Sequence, residues 1–240
     1  MKETFLKLQM GTERMTSEIY SRSPLRYFNE IPVFSEEDEY TQNYETISED
    51  HLIHFRETGE NPWQEPEHVL KVEGAILELF NKYSKNGDWV LDAGIGMGSF
   101  FSKIKTYPLK FFGIDISYTY LNYVKALGEV ELCYCRLEEI PYSKDIFDVI
   151  ICADVLEHVL DVELCIEKIL SVLKPGGYLI GRVPYNSGIT VGGNYKYVHL
   201  RNMTVDILKN LFSKYSNIVW TEDSLNDPPW KELSFVLRKL

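Results

Sequence analysis

The chain has 240 residues, of which 45% are hydrophobic and 25% charged; these are the proportions of a folded globular protein, and they exclude a disordered or fibrous chain. A formal net charge of −11 disfavours sequence-independent binding to a nucleic-acid backbone, which rests on Lys and Arg neutralising phosphates. No apolar run reaches about 18 residues, so no membrane span is expected, and Met1–Met15 lacks the apolar core of a secretory signal, so a cytoplasmic location is expected.

Residues 1–66 hold the acidic block Ser35-Glu36-Glu37-Asp38-Glu39 and no sustained strand alternation; they read as loops and short helices, an acceptor-side cap appended to a main domain at 67–240. The spacing of Val69, Leu70, Val72, Ile76, Leu77 and Phe80 predicts an amphipathic helix that begins at Pro66 and is closed by the turn Ser84-Lys85-Asn86-Gly87. Beyond the turn, short apolar runs alternate with helical stretches, the pattern of successive βα units on a mainly parallel sheet. Strands are expected at about 88–92, 111–115, 130–134, 147–152, 177–183, 216–221 and 233–238, and helices near 98–105, 117–127, 161–173 and 203–214. Tyr185 to Asn202 interrupts the alternation after the fifth strand, a length that loops reach chiefly when they serve function or are disordered. Only Asp223 to Trp230 separate the last two strands, too few residues for a crossover helix, so an antiparallel hairpin is expected. The fold class is α/β: a seven-stranded, mainly parallel sheet with a terminal antiparallel hairpin, helices on both faces and the N-terminal cap.

The four cysteines, Cys133, Cys135, Cys152 and Cys165, lie in apolar segments without paired zinc-like spacing, so neither a disulfide nor a metal is expected.

Val90-Leu91-Asp92-Ala93-Gly94-Ile95-Gly96-Met97-Gly98 joins a hydrophobic strand to a helix through three glycines at alternate positions. Glycine lets the backbone turn sharply and approach a ligand closely, and the helix that follows presents unpaired N–H groups. The spacing GxGxG differs from the GxGxxG of dinucleotide-binding folds. A second strand, Phe111-Phe112-Gly113-Ile114-Asp115, ends in a carboxylate 17 residues after Gly98, placed to accept the hydroxyl protons of a ribose. The pair points to an adenosine-containing ligand. Asp115 has a second reading as a helix N-cap, for which Ser117 is an equally good candidate.

Three further segments follow in order: Glu138-Glu139-Ile140-Pro141-Tyr142 running into Phe147-Asp148-Val149-Ile150, then Asp154-Val155-Leu156-Glu157-His158-Val159, then Leu173-Lys174-Pro175-Gly176-Gly177. With the glycine loop they resemble the class I, Rossmann-like S-adenosylmethionine-dependent methyltransferases, in particular the small-molecule branch, over roughly residues 66–240. The resemblance implies S-adenosylmethionine as cofactor, with Asp92, Gly94 and Gly96 around its amino-acid end, Asp115 on the ribose, Ile116 against the adenine, Leu137 and Glu138 beside the adenine edge and Asp154 near the methionine portion. Many members carry an Asp before the Glu138 segment; here Arg136 stands in its place, which leaves adenine recognition to backbone groups.

Methyl transfer requires alignment of the acceptor behind the methyl group and, for a hydroxyl acceptor, a base. His158, after the fourth strand, and His199, at the end of the long segment, are the candidate bases, although a loop histidine is also commonly a cap or a surface residue. Tyr185 and Asn186 directly follow the fifth strand, and Arg201 stands next to His199; these, with Arg56 and Trp63 from the cap, are the candidate acceptor contacts. The expected function is methyl transfer to a small or medium-sized acceptor such as a sugar, a glycan or another biosynthetic intermediate, with oxygen favoured because two histidines stand near the mouth. A nicotinamide-dependent oxidoreductase using the same glycine loop, and a non-catalytic methyltransferase-fold adaptor that binds a partner protein, are the alternatives. No feature of the sequence specifies an oligomeric state.

Overall fold

The computed structural model describes residues 19–62, 65–192, 195–221 and 232–240. Seven strands follow the expected alternation: β3 (Trp89–Ala93), β4 (Lys110–Asp115), β5 (Glu131–Tyr134), β6 (Phe147–Ala153), β7 (Leu173–Pro184), β10 (Ile218–Trp220) and β11 (Glu232–Lys239). β3 to β6 read as near-continuous apolar runs because parallel strands are covered on both faces. Leu91, Phe112, Phe147 and Leu179 pack into one core with the helix Val162–Val172, while Val90, Phe111, Leu121 and Val149 pack into the other with the helix Pro66–Tyr83. β7 and β11 pair antiparallel from Tyr178↔Arg238 to Pro184↔Glu232, and β10 pairs antiparallel with β11.

The sheet has nine strands in the order β1-β2-β5-β4-β3-β6-β7-β11-β10, two more than the seven expected. The additions are β1 (Arg26–Phe28) and β2 (Ile31–Val33), which extend the sheet beyond β5 through the pair Val33↔Tyr134. Each spans three residues, too few for a period of two to stand out from the sequence. The same region holds a 20-residue helix, α1 (Glu39–Thr58), where loops and short helices were expected. Its start is a capping box between Asp38 and Thr41, and its end is Gly59 in the left-handed conformation at φ 76°. α2 is Pro66–Tyr83, with its Pro at the first helical position.

The segment after β7, expected as a long loop, contains the antiparallel pair β8 (Thr190–Gly192) and β9 (Tyr195–His199). α1 holds β9 in place: the Asn43 side chain donates to Tyr197 O at 2.7 Å and accepts from Lys196 N–H at 2.7 Å, and the Tyr44 hydroxyl donates to Val198 O at 3.1 Å. α3 (Ser99–Ile104) follows β3, and Glu45 Oε1 accepts from the Thr119 N–H and hydroxyl at 3.0 and 2.7 Å, tying α1 to α4 (Tyr118–Lys125). α1 therefore bridges the helix after β4 and the hairpin after β7, and it roofs the carboxyl ends of the parallel strands between them.

Candidate active site

A cavity of about 1020 Å³ opens beneath α1 at those strand ends, where open α/β sheets place their ligands. Its floor begins with the turn after β3. The N–H groups of Gly94 and Ile95 both donate to Ile114 O at 3.0 Å, folding the chain back against β4. Gly94 sits at φ 94°, and a Cβ there would stand 2.5 Å from Val155 Cγ2, so only glycine fits. Beside Gly96, at φ 51°, nothing lies within 4 Å, which leaves its face of the turn open to the cavity.

Asp115 closes β4 on the same wall. Its Oδ2 accepts from Gly96 N–H and its Oδ1 from Ser117 N–H, both at 2.9 Å. Burial pushes the carboxyl up to about 6 against the opposing pull of these backbone donors. Ser117, not Asp115, caps α4, its hydroxyl accepting from Tyr120 N–H at 3.1 Å. Asp115 thus keeps acceptor capacity for a ligand. Asp92 is 4% exposed on the same floor, its carboxyl raised well above the usual range by burial and by Asp115. Ile116 lies beside it, and Leu137 and Glu138 line the cavity from the single turn Leu137–Glu139, with Glu138 Oε1 accepting from Asp161 N–H at 3.1 Å.

The far end is built by the segment after β6. Asp154, at φ 56°, forms a two-armed pair with Arg182 on β7, from Nε at 3.0 Å and from Nη2, and Arg182 is 8% exposed. Glu157 is 1% exposed, lines the cavity, and has no hydrogen-bond partner at either carboxylate oxygen among the described residues. His158 donates from Nδ1 to Val198 O at 2.8 Å, which leaves its Nε2 with the lone pair; burial pulls this imidazole down to about 4. The His199 ring lies 5.0 Å from it, with Nδ1 3.2 Å from the Ser187 hydroxyl, and burial lowers its affinity for a proton as well. Tyr40 donates to His158 O at 3.2 Å and Leu200 N–H donates to Glu157 O at 2.9 Å, so the loop is fixed from both sides.

Both histidines and all eight expected cofactor residues line this one cavity. Four of the candidate acceptor contacts do not. Tyr185 bridges to Met203, and the Asn186 side chain accepts from Asn202, because the backbone turns away from the cavity after Pro184. Arg201 donates to Leu156 O at 2.7 Å and Leu160 O at 3.1 Å, bracing the His158 loop from behind. Arg56 is exposed in the last turn of α1. Trp63 lies outside the described residues. The wall opposite the glycine turn is instead aromatic: Tyr40, Tyr44, His51 and Phe55 from α1, with Tyr120 and Tyr123 from α4. The His51 ring nitrogen and the Tyr120 hydroxyl stand 2.7 Å apart. Arg136 pairs with Asp38 and its guanidinium lies 5.4 Å from the Tyr40 ring centre, while its backbone N–H donates to the Ser35 hydroxyl at 2.9 Å, so the side chain that stands in place of the expected Asp anchors Asp38 and Tyr40.

The residues fit S-adenosylmethionine: an open glycine turn for the amino-acid end, an oriented carboxylate for the ribose, and Ile116 and Leu137 as apolar faces for the adenine.

The comparisons agree. A family model described as "Methyltransferase domain" matches residues 91–181. A demethylmenaquinone methyltransferase of Oceanobacillus iheyensis is 26% identical over 153 residues, 61% of this chain and 60% of its own length. A ubiquinone biosynthesis O-methyltransferase of Coxiella burnetii is 29% identical over 150 residues, 58% of this chain and 63% of its own. The chain thus spans under two thirds of these relatives' length. The solved structure of a 1,6-didemethyltoxoflavin-N1-methyltransferase from Burkholderia thailandensis, with its substrate and S-adenosylhomocysteine bound, is 16% identical, covers 91% of this chain and 99% of its own, and superposes with a TM-score of 0.60; at that identity it speaks for the fold. Residues 91–181 thus match a methyltransferase domain, and the strand order, glycine turn and strand-terminal carboxylate around them are those of the class I, Rossmann-like fold of S-adenosylmethionine-dependent methyltransferases.

Proposed function

We propose that the chain transfers a methyl group to a small acceptor held beneath α1, with oxygen as the favoured receiving atom and residues 1–66 serving as the acceptor-side cap on a catalytic domain at 67–240. The observation that carries this reading is the continuity of one cavity from the glycine turn and Asp115 to His158 and His199. When bound, S-adenosylmethionine supplies an electrophilic sulfonium methyl: the acceptor's lone pair forms the new bond to carbon while the electrons of the broken S–C bond stay on sulfur, giving S-adenosylhomocysteine.

The chain's own residues have three tasks. Asp92, Gly94, Gly96 and Asp115 hold the cofactor at the floor, and Ile116, Leu137, Glu138 and Asp154 bound it. Tyr40, Tyr44, Phe55, Tyr120 and Tyr123 offer flat apolar faces and exclude water; such a wall suits a hydroxylated ring better than a free sugar or glycan, in keeping with the quinone-pathway names of the relatives. The acceptor's proton passes to an imidazole. His199, half-buried, is the better base of the two because burial weakens His158 strongly.

The test is calorimetric titration with S-adenosylmethionine and S-adenosylhomocysteine, with NAD and NADP as controls, followed by a methyl-transfer screen over hydroxylated aromatic acceptors. Selective binding of the two adenosyl compounds and turnover on a phenolic acceptor are expected. Binding of NAD in their place would overturn the reading in favour of an oxidoreductase, and adenosyl binding without turnover on any acceptor would favour an adaptor.

A further inference from the structure

We propose that Glu157, His158 and His199 form a binding site for one first-row divalent transition-metal ion at the acceptor end of the cavity. The sequence, searched for metal ligands through its cysteines, pointed to none; the site is assembled from two neighbouring residues of the loop after β6 and a third that the β9 strand brings back 41 positions later.

The donor atoms are already close. One donor atom from each of the three residues lies within 4.8 Å of the other two, and His158 Nε2 stands 3.5 Å from Glu157 Oε1. Donors around a tetrahedral zinc ion stand roughly 3.3 Å apart, given bonds of about 2.0–2.1 Å, so the first pair has that separation and His199 needs only a small rotation to join it. Each imidazole is also prepared for the task. His158 donates its Nδ1 proton to Val198 O at 2.8 Å, which fixes the tautomer and leaves Nε2 to bind; His199 has its Nδ1 against the Ser187 hydroxyl at 3.2 Å. This is the outer support that ligating histidines use, a polar partner on the nitrogen that does not touch the metal.

Glu157 supplies the independent sign. A carboxylate that is 1% exposed, lines the cavity and lacks a partner at both oxygens among the described residues is costly by itself, and a cation removes that cost. Neighbouring charge removes it only in part: Arg182, whose charge acts on Glu157, is engaged in its two-armed pair with Asp154, and Arg201 donates to the carbonyls of Leu156 and Leu160. Glu232, from β11, adds further negative charge to the group.

Two imidazoles and one carboxylate favour zinc, iron, cobalt or nickel over magnesium and calcium, which prefer all-oxygen sites. With Asp154 and Arg182 cancelling each other, a divalent ion offsets the negative charge of Glu157 and Glu232 and offers an open coordination position to an acceptor oxygen. Resting on the methyl-transfer reading for this last part, the acceptor's hydroxyl would bind the metal, release its proton to water, and keep the lone pair that attacks the methyl carbon. With the metal bound, His158 and His199 serve as its ligands, and the proton removal assigned to His199 in the metal-free site passes to the metal-bound acceptor.

The experiment strips the protein with chelator, titrates it with Co2+ followed by its visible absorption and with Zn2+ by calorimetry, and titrates S-adenosylhomocysteine on the same samples with and without metal. One ion per chain is expected, with Mg2+ failing to displace it. H199A and E157Q should each weaken binding by about 100-fold or more, at least the upper end of what loss of a supporting partner costs, with cofactor affinity retained. If E157Q fails to fold by circular dichroism, H199A carries the test. Absence of Co2+ and Zn2+ binding in a wild-type protein that binds S-adenosylhomocysteine, or equal binding by wild type and H199A, would overturn the metal site and leave methyl transfer standing. Metal binding lost in H199A, in a protein that ignores S-adenosylhomocysteine at every metal concentration, would uphold the site and overturn the methyl-transfer reading.

Discussion

Replacing Asp115 with Ala should separate cofactor affinity from stability, and the structure sets both signs. The carboxylate is held by the Gly96 and Ser117 N–H groups at 2.9 Å each and has room for the two ribose hydroxyls. Hydrogen bonds to a charged acceptor contribute about 1.5–3 kcal/mol each, so losing two weakens binding by about 3–6 kcal/mol, at least about 100-fold. Stability should not fall in step. The folded-state carboxyl is raised from 3.8 to about 6, so the folded chain binds the proton more tightly than the unfolded one. Stability therefore falls as pH rises through that window, and at neutral pH Asp115 costs the fold on the order of 2–3 kcal/mol. Removing it regains this cost, less the loss to two N–H groups left without an acceptor. Calorimetry with S-adenosylhomocysteine and a thermal melt of the same preparation check both arms. The same value predicts that wild-type affinity is flat above pH 6 and falls by up to about tenfold per unit below it, because the ribose binds the ionised form. A folded D115A variant that binds within about threefold of wild type would refute the ribose assignment.

Gly94→Ala forces a Cβ to 2.5 Å from Val155 Cγ2 at φ 94°; a loss of about 1–3 kcal/mol in urea denaturation is expected, with S-adenosylhomocysteine binding abolished in calorimetry. His158→Ala and His199→Ala should keep cofactor affinity while slowing turnover by about 10²–10⁴-fold, read as kcat on whichever acceptor the screen identifies; normal kcat in both would remove the histidines from the chemistry. Arg136→Ala frees Asp38 and the face of Tyr40 while the backbone N–H of residue 136 keeps its bond to the Ser35 hydroxyl, and because Asp38 is half-exposed the loss should be only about 1 kcal/mol. Limited proteolysis should then cut first within residues 19–62, whereas unchanged cleavage there would mean that Arg136 does not anchor the cap.

The cofactor half of the site was legible because its chemistry is local in sequence. A glycine turn and a strand-terminal acid are each specified within a few residues, and strands such as Phe147–Ala153 announce themselves by continuous apolarity. The two N-terminal strands were missed because three residues cannot show a period, and their pairing with Tyr134 is a tertiary choice. Tyr185, Asn186 and Arg201 were placed near the acceptor by their nearness to β7 in the chain, but the backbone leaves the cavity at Pro184 and, among the described residues, lines it again at Tyr195, Val198 and His199.

The acceptor wall had a signal of another kind. Tyr40, Tyr44, Ser48, His51 and Phe55 follow one another at steps of four, four, three and four residues, and all five line the cavity. That is a helical stripe, but its members are aromatic and polar, and they did not register as an apolar face. An aliphatic stripe buries itself in a core; a stripe of tyrosine, serine and histidine has hydroxyls and ring nitrogens that need partners. Here those partners are Val198 O for Tyr44, His158 O for Tyr40 and Tyr120 for His51. The same bonds tie α1 to the helix that follows Asp115 and to the segments that carry His158 and His199. A substitution on the stripe therefore acts on acceptor fit and on the position of the reacting groups together, and KM and kcat for the acceptor should move jointly in such variants, whereas changes at Asp115 act on binding through the cofactor.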